Sequence, residues 1–598
     1  MVTIEDNVQI DGYYCPAVKS RWKNCNYYKL MLWVWMMNEI TTVFNPAVTS
    51  HDGLYVLALM QSLAVIFIGM PLAYSEICLG QYTNCNIFSV WDFCPLLRNV
   101  GFATYYLIFF KTIYYLVLTS WLLLYTFSAS MTPPPWLSCE DFSDCKCMTA
   151  SKCFFEREIG GNCTKNNLFC FFSWKTIIAM CIVCSTVYVF SLKKERIIQA
   201  FVKIFATYVT IMILVLFSVA LSTSGTWYAT KLTFNWSNFD FYTAFSTVSY
   251  GFRSVGTGSG ILLYLSRDVS FRSPATMTAI STCLLSLFVS LMLSLIGYSG
   301  IKTMSYYHGK ENNVLEGGTN LFFPMFASMS EIISYFDPVA VWNIVWFSLG
   351  FFSLYINFWL LFLYLQESLL NNFNFTKKYP KLTRLLLMIF IMICTLPFLC
   401  SDITTILSYA TDIMQTFNSL LFSLSLYWIY GIRKHNVDII FMIGIKANYF
   451  WKTTWFLNPI IITVILYKAY DVVLNLDSKE SYYIESVNVY VDVMTIYFIL
   501  GLYNAIIVVG VILQILNFYL KGKFRYILSP TRYWGPRDKI LFRSRIMFLP
   551  EIMTREFLYR QVRIRLYQTK QKQTKQEVKR DSTDTTFSES GWSALTSN

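Results

Sequence analysis

Apolar stretches of membrane-spanning length recur along the whole chain, parted by short polar segments. Twelve are read, near 28–48, 54–78, 100–128, 174–192, 200–222, 242–265, 275–303, 338–369, 384–399, 403–430, 453–473 and 493–520. A hydrocarbon core about 30 Å thick needs about 20 apolar residues of α-helix. A helix also satisfies its own backbone groups where no water can. The pattern therefore predicts an all-α polytopic membrane protein, with 28–520 as one transmembrane domain. The ninth stretch is short, and only a tight turn around Cys400–Asp402 parts it from the tenth. Residues 1–27 are mixed and polar, without a cleavable signal pattern, and are expected as a cytoplasmic N-terminal segment. Residues 521–567 form a basic cytoplasmic segment, and 568–598 have the Lys-, Gln-, Ser- and Thr-rich composition of a disordered tail.

One stretch interrupts its own pattern. Residues 253–260 read Arg-Ser-Val-Gly-Thr-Gly-Ser-Gly within the sixth apolar run. Glycines at alternate positions weaken a helix, and an arginine is expensive in hydrocarbon. Irregular backbone at membrane depth survives only where protein buries it or water reaches it. Secondary transporters build their central sites from such broken helices.

Composition agrees with the pattern: 55% of residues are hydrophobic, 14% are charged, and the mean hydropathy is +0.45. The net charge of +13 would suit a nucleic-acid partner, but its placement argues otherwise. Lys193, Lys194, Arg196, Arg267, Arg272, Lys377, Lys378, Arg433 and Lys434 all fall between spans on one side. The last loop on the other side is acidic, with Asp471, Asp477, Glu480, Glu485 and Asp492. This is the positive-inside asymmetry, and it places both termini in the cytoplasm. Six cysteines, Cys139, Cys145, Cys147, Cys153, Cys163 and Cys170, crowd the loop 129–173, which parity of spans makes extracellular and disulfide-bearing. Asn162 and Asn235 lie in outward-facing glycosylation sequons. No phosphate loop, nucleophile elbow or zinc motif is present, so an enzyme is not expected. His51, His308 and His435 fall at loop ends or in a loop, where solvated side chains are expected.

Several motifs occur in order along these spans: Gly69-Met-Pro-Leu, Glu76-Ile-Cys-Leu-Gly-Gln-Tyr82, Pro135-Trp-Leu-Ser-Cys139, Ser254-Val-Gly-Thr-Gly-Ser-Gly260, Trp428-Ile-Tyr-Gly431 and Tyr533-Trp-Gly-Pro536. They resemble the neurotransmitter:sodium symporter family (solute carrier family 6), from about residue 22 to residue 536. The resemblance implies two inverted five-helix repeats followed by two C-terminal helices, with the first and sixth helices broken. It implies a glycosylated plasma-membrane protein, alternating access around a central site, and an outer-loop disulfide between Cys139 and Cys147 (or Cys145).

The departures from that family bear on the site. Its glycine-rich first-span break becomes Met36-Met-Asn-Glu-Ile-Thr-Thr42, without glycine. Its outer-gate arginine falls on Phe44 and the acidic partner on Leu407 or Ser408, so an apolar outer gate is the expected replacement. By resemblance, substrate contacts fall on Asn38, Tyr115, Phe252 and Ser254; the intramembrane charges Glu39, Lys111 and Arg253, the last in place of an aromatic residue of the family, are added as candidate contacts. Sodium ligands fall on Met36, Thr41, Ser254, Ser281 and Asn357, a weakened set of mostly oxygen donors. Gln61, Tyr250 and Leu285 replace chloride positions, so chloride is not expected.

Lys111 lies one helical turn before Tyr115 on the same face. With Glu39 and Arg253 it forms a central triad carrying one net positive charge, which favours an anionic guest. Two roles compete for the triad: holding a ligand or coupling charge, or tying three helices together. Asp402 and Asp412, near the tenth span, have two readings, lining of the outer vestibule or an ordinary helix-end position, and the second is the expectation. The expected function is sodium-coupled symport of a small amino acid or amino-acid-derived solute, with no nucleic-acid partner. The alternative is a transport-incompetent or sodium-independent relative acting as an accessory or receptor-like membrane protein.

Overall fold

The computed structural model describes residues 25–37, 53–137, 173–193, 195–222, 250–308, 338–399, 401–476, 488–532 and 534–548, with isolated residues near 151–158, 248, 326–333 and 563. Among these every regular element is helical. Helix α1 is Cys25–Met36. Helix α2, Gly53–Ala64, passes through a π-helical turn at Val65–Gly69 into α3, Met70–Thr83. Then come α4 (Val100–Ala129), α5 (Trp174–Ser191), α6 (Glu195–Ser222), the short α7 (Ile261–Ser266) and α8 (Ala275–His308). The second half holds α9 (Val339–Asn372), α10 (Pro380–Thr395), α11 (Ser401–Ser423), α12 (Ile432–Ile443), α13 (Tyr449–Leu476), α14 (Asn488–Leu520) and α15 (Lys539–Ile546).

Among the described residues, 8 helices are long and apolar enough to cross a membrane: the expected second to fifth, seventh to ninth and twelfth spans. The expected first and sixth spans are described as the short helices α1 and α7. The expected tenth and eleventh are α11 and α13, both long enough but interrupted by polar residues. In α11 the polar side chains Thr411, Gln415, Thr416, Asn418 and Ser419 are all buried. That helix faces protein rather than lipid, so its hydropathy does not resemble that of a lipid-facing span.

The core is built around α3, α4 and α9. Every residue of α3 is buried, and α4 packs along the length of α9. Aromatic rings join them, including Tyr125 stacked on Phe347 with centroids 4.6 Å apart. Peripheral helices turn large apolar residues outward, such as Ile204 and Ile211 on α6, Phe390 and Ile393 on α10, and Phe498 and Val508 on α14. Exposed apolar residues on long apolar helices are the lipid-facing surface.

Beneath the bundle, the start of the basic segment is docked. The Thr531 N–H donates to the Asp92 carbonyl at 3.0 Å, and Leu96 N–H to the Ile527 carbonyl at 3.1 Å. Arg545 reaches the Asp438 carboxylate at 2.8 Å, and the Tyr430 hydroxyl donates to the other oxygen of the same carboxylate at 2.5 Å. His435 departs from its expected solvated position. It is buried in α12 with its ring 5.0 Å from that of Trp455, and burial pushes its pKa down to about 3. The reason is that α12 packs as a helix against α3 and α13 instead of forming an open loop.

Candidate functional site

The octapeptide 253–260 is a true break. Residues 250–254 are helical, 255–260 form turns, and α7 resumes at Ile261. Gly256, Gly258 and Gly260 have φ of +87°, +76° and +74°, the left-handed region that favours glycine. Space is as restrictive as conformation at Gly258, where a Cβ would overlap Ser419 Oγ and lie 2.6 Å from the Gln415 carbonyl.

Side chains from three other helices take up the backbone groups that the break releases. The Glu76 carboxylate on α3 accepts the Gly258 N–H at 2.6 Å. On α11 the Gln415 amide donates to the carbonyls of Arg253 at 3.0 Å and Thr257 at 2.7 Å. Trp35 on α1 donates its indole N–H to the Val255 carbonyl at 3.4 Å. The irregular backbone is thus held by buried polar groups, the condition under which it is tolerated at this depth. Glu76 and Gln415 were not among the expected site residues. The available signal was a carboxylate and an amide inside apolar spans, without a readable target.

The charged residues are arranged differently from the expected triad. Arg253 is ion-paired to Asp412 on α11 at 2.5 Å, with side-chain exposures of 12% and 38%. Lys111 on α4 donates to the side-chain oxygen of Gln415, one turn further along α11. Asp412 therefore lies mid-helix, opposite the break, and not at a helix end as expected. With Asp412 added, the charges of Glu39, Lys111, Arg253 and Asp412 cancel, and the charge argument for an anionic guest no longer holds. Tyr115 and Phe252 are buried, at 6% and 0% exposure. Asn38, Glu39 and Thr41 lie outside the described residues, as do Cys139, Cys145, Cys147, Asn162 and Asn235.

Of the expected sodium ligands, the Ser254 hydroxyl donates to the Gly251 carbonyl at 2.8 Å and that of Ser281 to the Thr278 carbonyl at 3.0 Å. Each has used its hydrogen and keeps oxygen lone pairs for a hard cation. Met36 is the last residue of α1, which packs against both α7 and α8. Asn357 is placed otherwise. Its amide nitrogen donates to the carbonyls of Val34 at 3.2 Å and Ser353 at 2.9 Å. Gln61, at an expected chloride position, donates to Ser290.

A second ion network closes the other end of the broken span. Arg267 binds Asp268 at 2.8 Å, Glu367 on α9 at 3.2 Å and the Asn86 side-chain oxygen at 2.8 Å. It was expected as an ordinary loop cation, yet it is only 8% exposed. The broken span is therefore clasped at two points, by α11 at Arg253, where the break begins, and by α9 at Arg267, just beyond α7.

Residues 45–519 match the model of the sodium:neurotransmitter symporter family. The chain is 25% identical over 439 residues to the sodium-dependent serotonin transporter of Drosophila melanogaster, covering 67% of this chain and 68% of that one. Shorter matches reach the creatine transporter of Torpedo marmorata, 29% identical over 96 residues, and the sodium- and chloride-dependent creatine transporter 1 of Bos taurus, 30% identical over 103. These cover 16% of each relative's length, and 16% and 17% of this chain. A multi-pass, all-helical chain with a broken central helix, matched by this family over most of its length, belongs to the sodium:neurotransmitter symporter family.

Proposed function

We propose that this protein is a secondary active transporter of the plasma membrane, carrying a small amino acid or amino-acid-derived solute together with sodium by alternating access. Its substrate site lies beside the break, at Tyr115, Phe252 and Ser254, with Asn38 assigned to it by resemblance and Glu39 as the neighbour of Asn38. The observation that carries the reading is the pair of clasps on one broken span, Arg253–Asp412 where the break begins and Arg267 with Asp268 and Glu367 at the far end of α7. The Arg253–Asp412 pair, with Asp412 38% exposed, is made and broken at modest net cost, whereas the buried Arg267 network costs more to open, so each clasp can hold one side shut. With both termini in the cytoplasm, Arg253–Asp412 faces outward and Arg267 inward. Opening one while the other holds gives access from one side at a time.

Sodium enters through oxygen donors at Ser254, Ser281, Thr41 and the Met36 carbonyl, where it supplies positive charge beside the negative C-terminal end of α1. Transport is proposed to be independent of chloride, because Leu285 offers no polar atom at its position and one Gln61 N–H already goes to Ser290. The test is uptake in oocytes over a panel of amino acids and amines, with sodium exchanged for choline and chloride for gluconate. Flux that vanishes in choline and persists in gluconate is the expected outcome. Surface expression without flux or current would replace this reading with that of an accessory or receptor-like membrane protein.

A further inference from the structure

Helix α1 is described as far as Met36, with Met37 following it, and the last carbonyls described there face α9. The last carbonyls of a helix lack partners within it and carry the negative end of its dipole. Cation sites form there when oxygens converge without donors. In this chain donors are already in place. The Ser353 hydroxyl on α9 donates to the Met37 carbonyl at 2.6 Å. The Asn357 amide nitrogen, one turn further along α9, donates to the Val34 carbonyl at 3.2 Å and the Ser353 carbonyl at 2.9 Å. Both side chains are buried, Asn357 completely.

Three carbonyl oxygens, from Val34, Met37 and Ser353, thus meet hydrogens supplied by the protein. An amide NH2 group presents two donors and no lone pair, so it occupies the place of a cation and cannot ligate one. The same oxygens would otherwise suit sodium, a hard ion that takes oxygen ligands. Asn357, expected from the sequence as a sodium ligand, does not fit that role as placed. Its side-chain oxygen is buried without a hydrogen-bonding partner among the described residues, so only the nitrogen end orients the amide. Turning the amide round would set oxygen against two carbonyls, an arrangement that only a bound cation would hold.

We infer that the Asn357 amide is a tethered substitute for a second coupling cation, and that at most one sodium, at the Ser254 and Ser281 site, accompanies each transport cycle. The inference rests on the proposed sodium symport for its meaning, but its test is independent of transport. Purified full-length protein in nanodiscs is titrated with radiolabelled sodium, and its thermal stability is followed in sodium against choline. The wild type is expected to hold no more than one sodium per chain. Asn357→Ser and Asn357→Asp, which replace the donor by oxygen, are each expected to bind one more and to gain a sodium-dependent rise in melting temperature. Two sodium ions per wild-type chain overturn the inference, because the amide must then have turned. So do variants that fold and bind no additional ion. If neither variant folds, the wild-type stoichiometry decides. A wild type that binds none while a variant binds one upholds this inference and sinks the sodium coupling proposed above.

Discussion

Arg253 and Asp412 show what a single residue can and cannot reveal. An arginine inside an apolar span, and a lysine one turn before Tyr115, stand out in the sequence because intramembrane charges are rare and costly. Their partners do not, because Gln415, which contacts both the Arg253 backbone and Lys111, lies 162 residues from Arg253. The exposures predict an asymmetry between the two ends of the ion pair. Asp412 is 38% exposed and can be solvated when left alone, whereas Arg253 is only 12% exposed. Asp412→Asn should therefore destabilise more than Arg253→Gln, by about 1–3 kcal/mol against about 1 or less, between the values for buried and surface pairs. The double variant should recover most of the difference, as thermal unfolding in detergent would show. Equal losses would mean that the pair is screened alike on both sides. As a gate, it should also respond in transport, with Arg253→Phe keeping surface yield while substrate selectivity changes.

At the scale of elements, the broken span was the most legible feature. Glycine spacing depends only on local backbone preference, so the break at 253–260 could be placed without a structure. Gly258→Ala tests both reasons for that residue. The left-handed conformation costs about 1–2 kcal/mol, and the overlap with Ser419 and the Gln415 carbonyl adds about 1–3 kcal/mol. Loss of surface expression, or a clear fall in melting temperature, is expected. The same change at Gly501 should be nearly silent, because a Cβ there would meet nothing within 4 Å. The docked basic segment was not legible as such, because its charges read only as a cytoplasmic address. Arg545→Ala leaves the buried Asp438 carboxylate without its cation, a loss of about 3–5 kcal/mol for a fully buried pair. Arg545 is 24% exposed, so the lower part of that range is expected. Limited proteolysis near residues 534–548 should accelerate with it.

Across the whole molecule, packing turns a loop histidine into a pH-sensitive structural group. Burial holds the His435 pKa near 3, below its ordinary 6.5, so the folded protein keeps the ring neutral. Stability from this group is fully present above about pH 6.5 and is lost as pH falls through that value toward 3. Melting temperature should therefore drop between pH 6.5 and 5, and His435→Gln should flatten the slope. An unchanged slope in the variant would place the pH dependence elsewhere. Fold class, the broken span and the family resemblance all follow from the sequence alone, because they rest on local periodicity, glycine spacing and motifs read along the chain. The clasps at Arg253 and Arg267, the burial of His435 and the Asn357 amide at the end of α1 belong to the tertiary structure. Each depends on which distant helices meet, and a group's partner and solvent are set by that meeting.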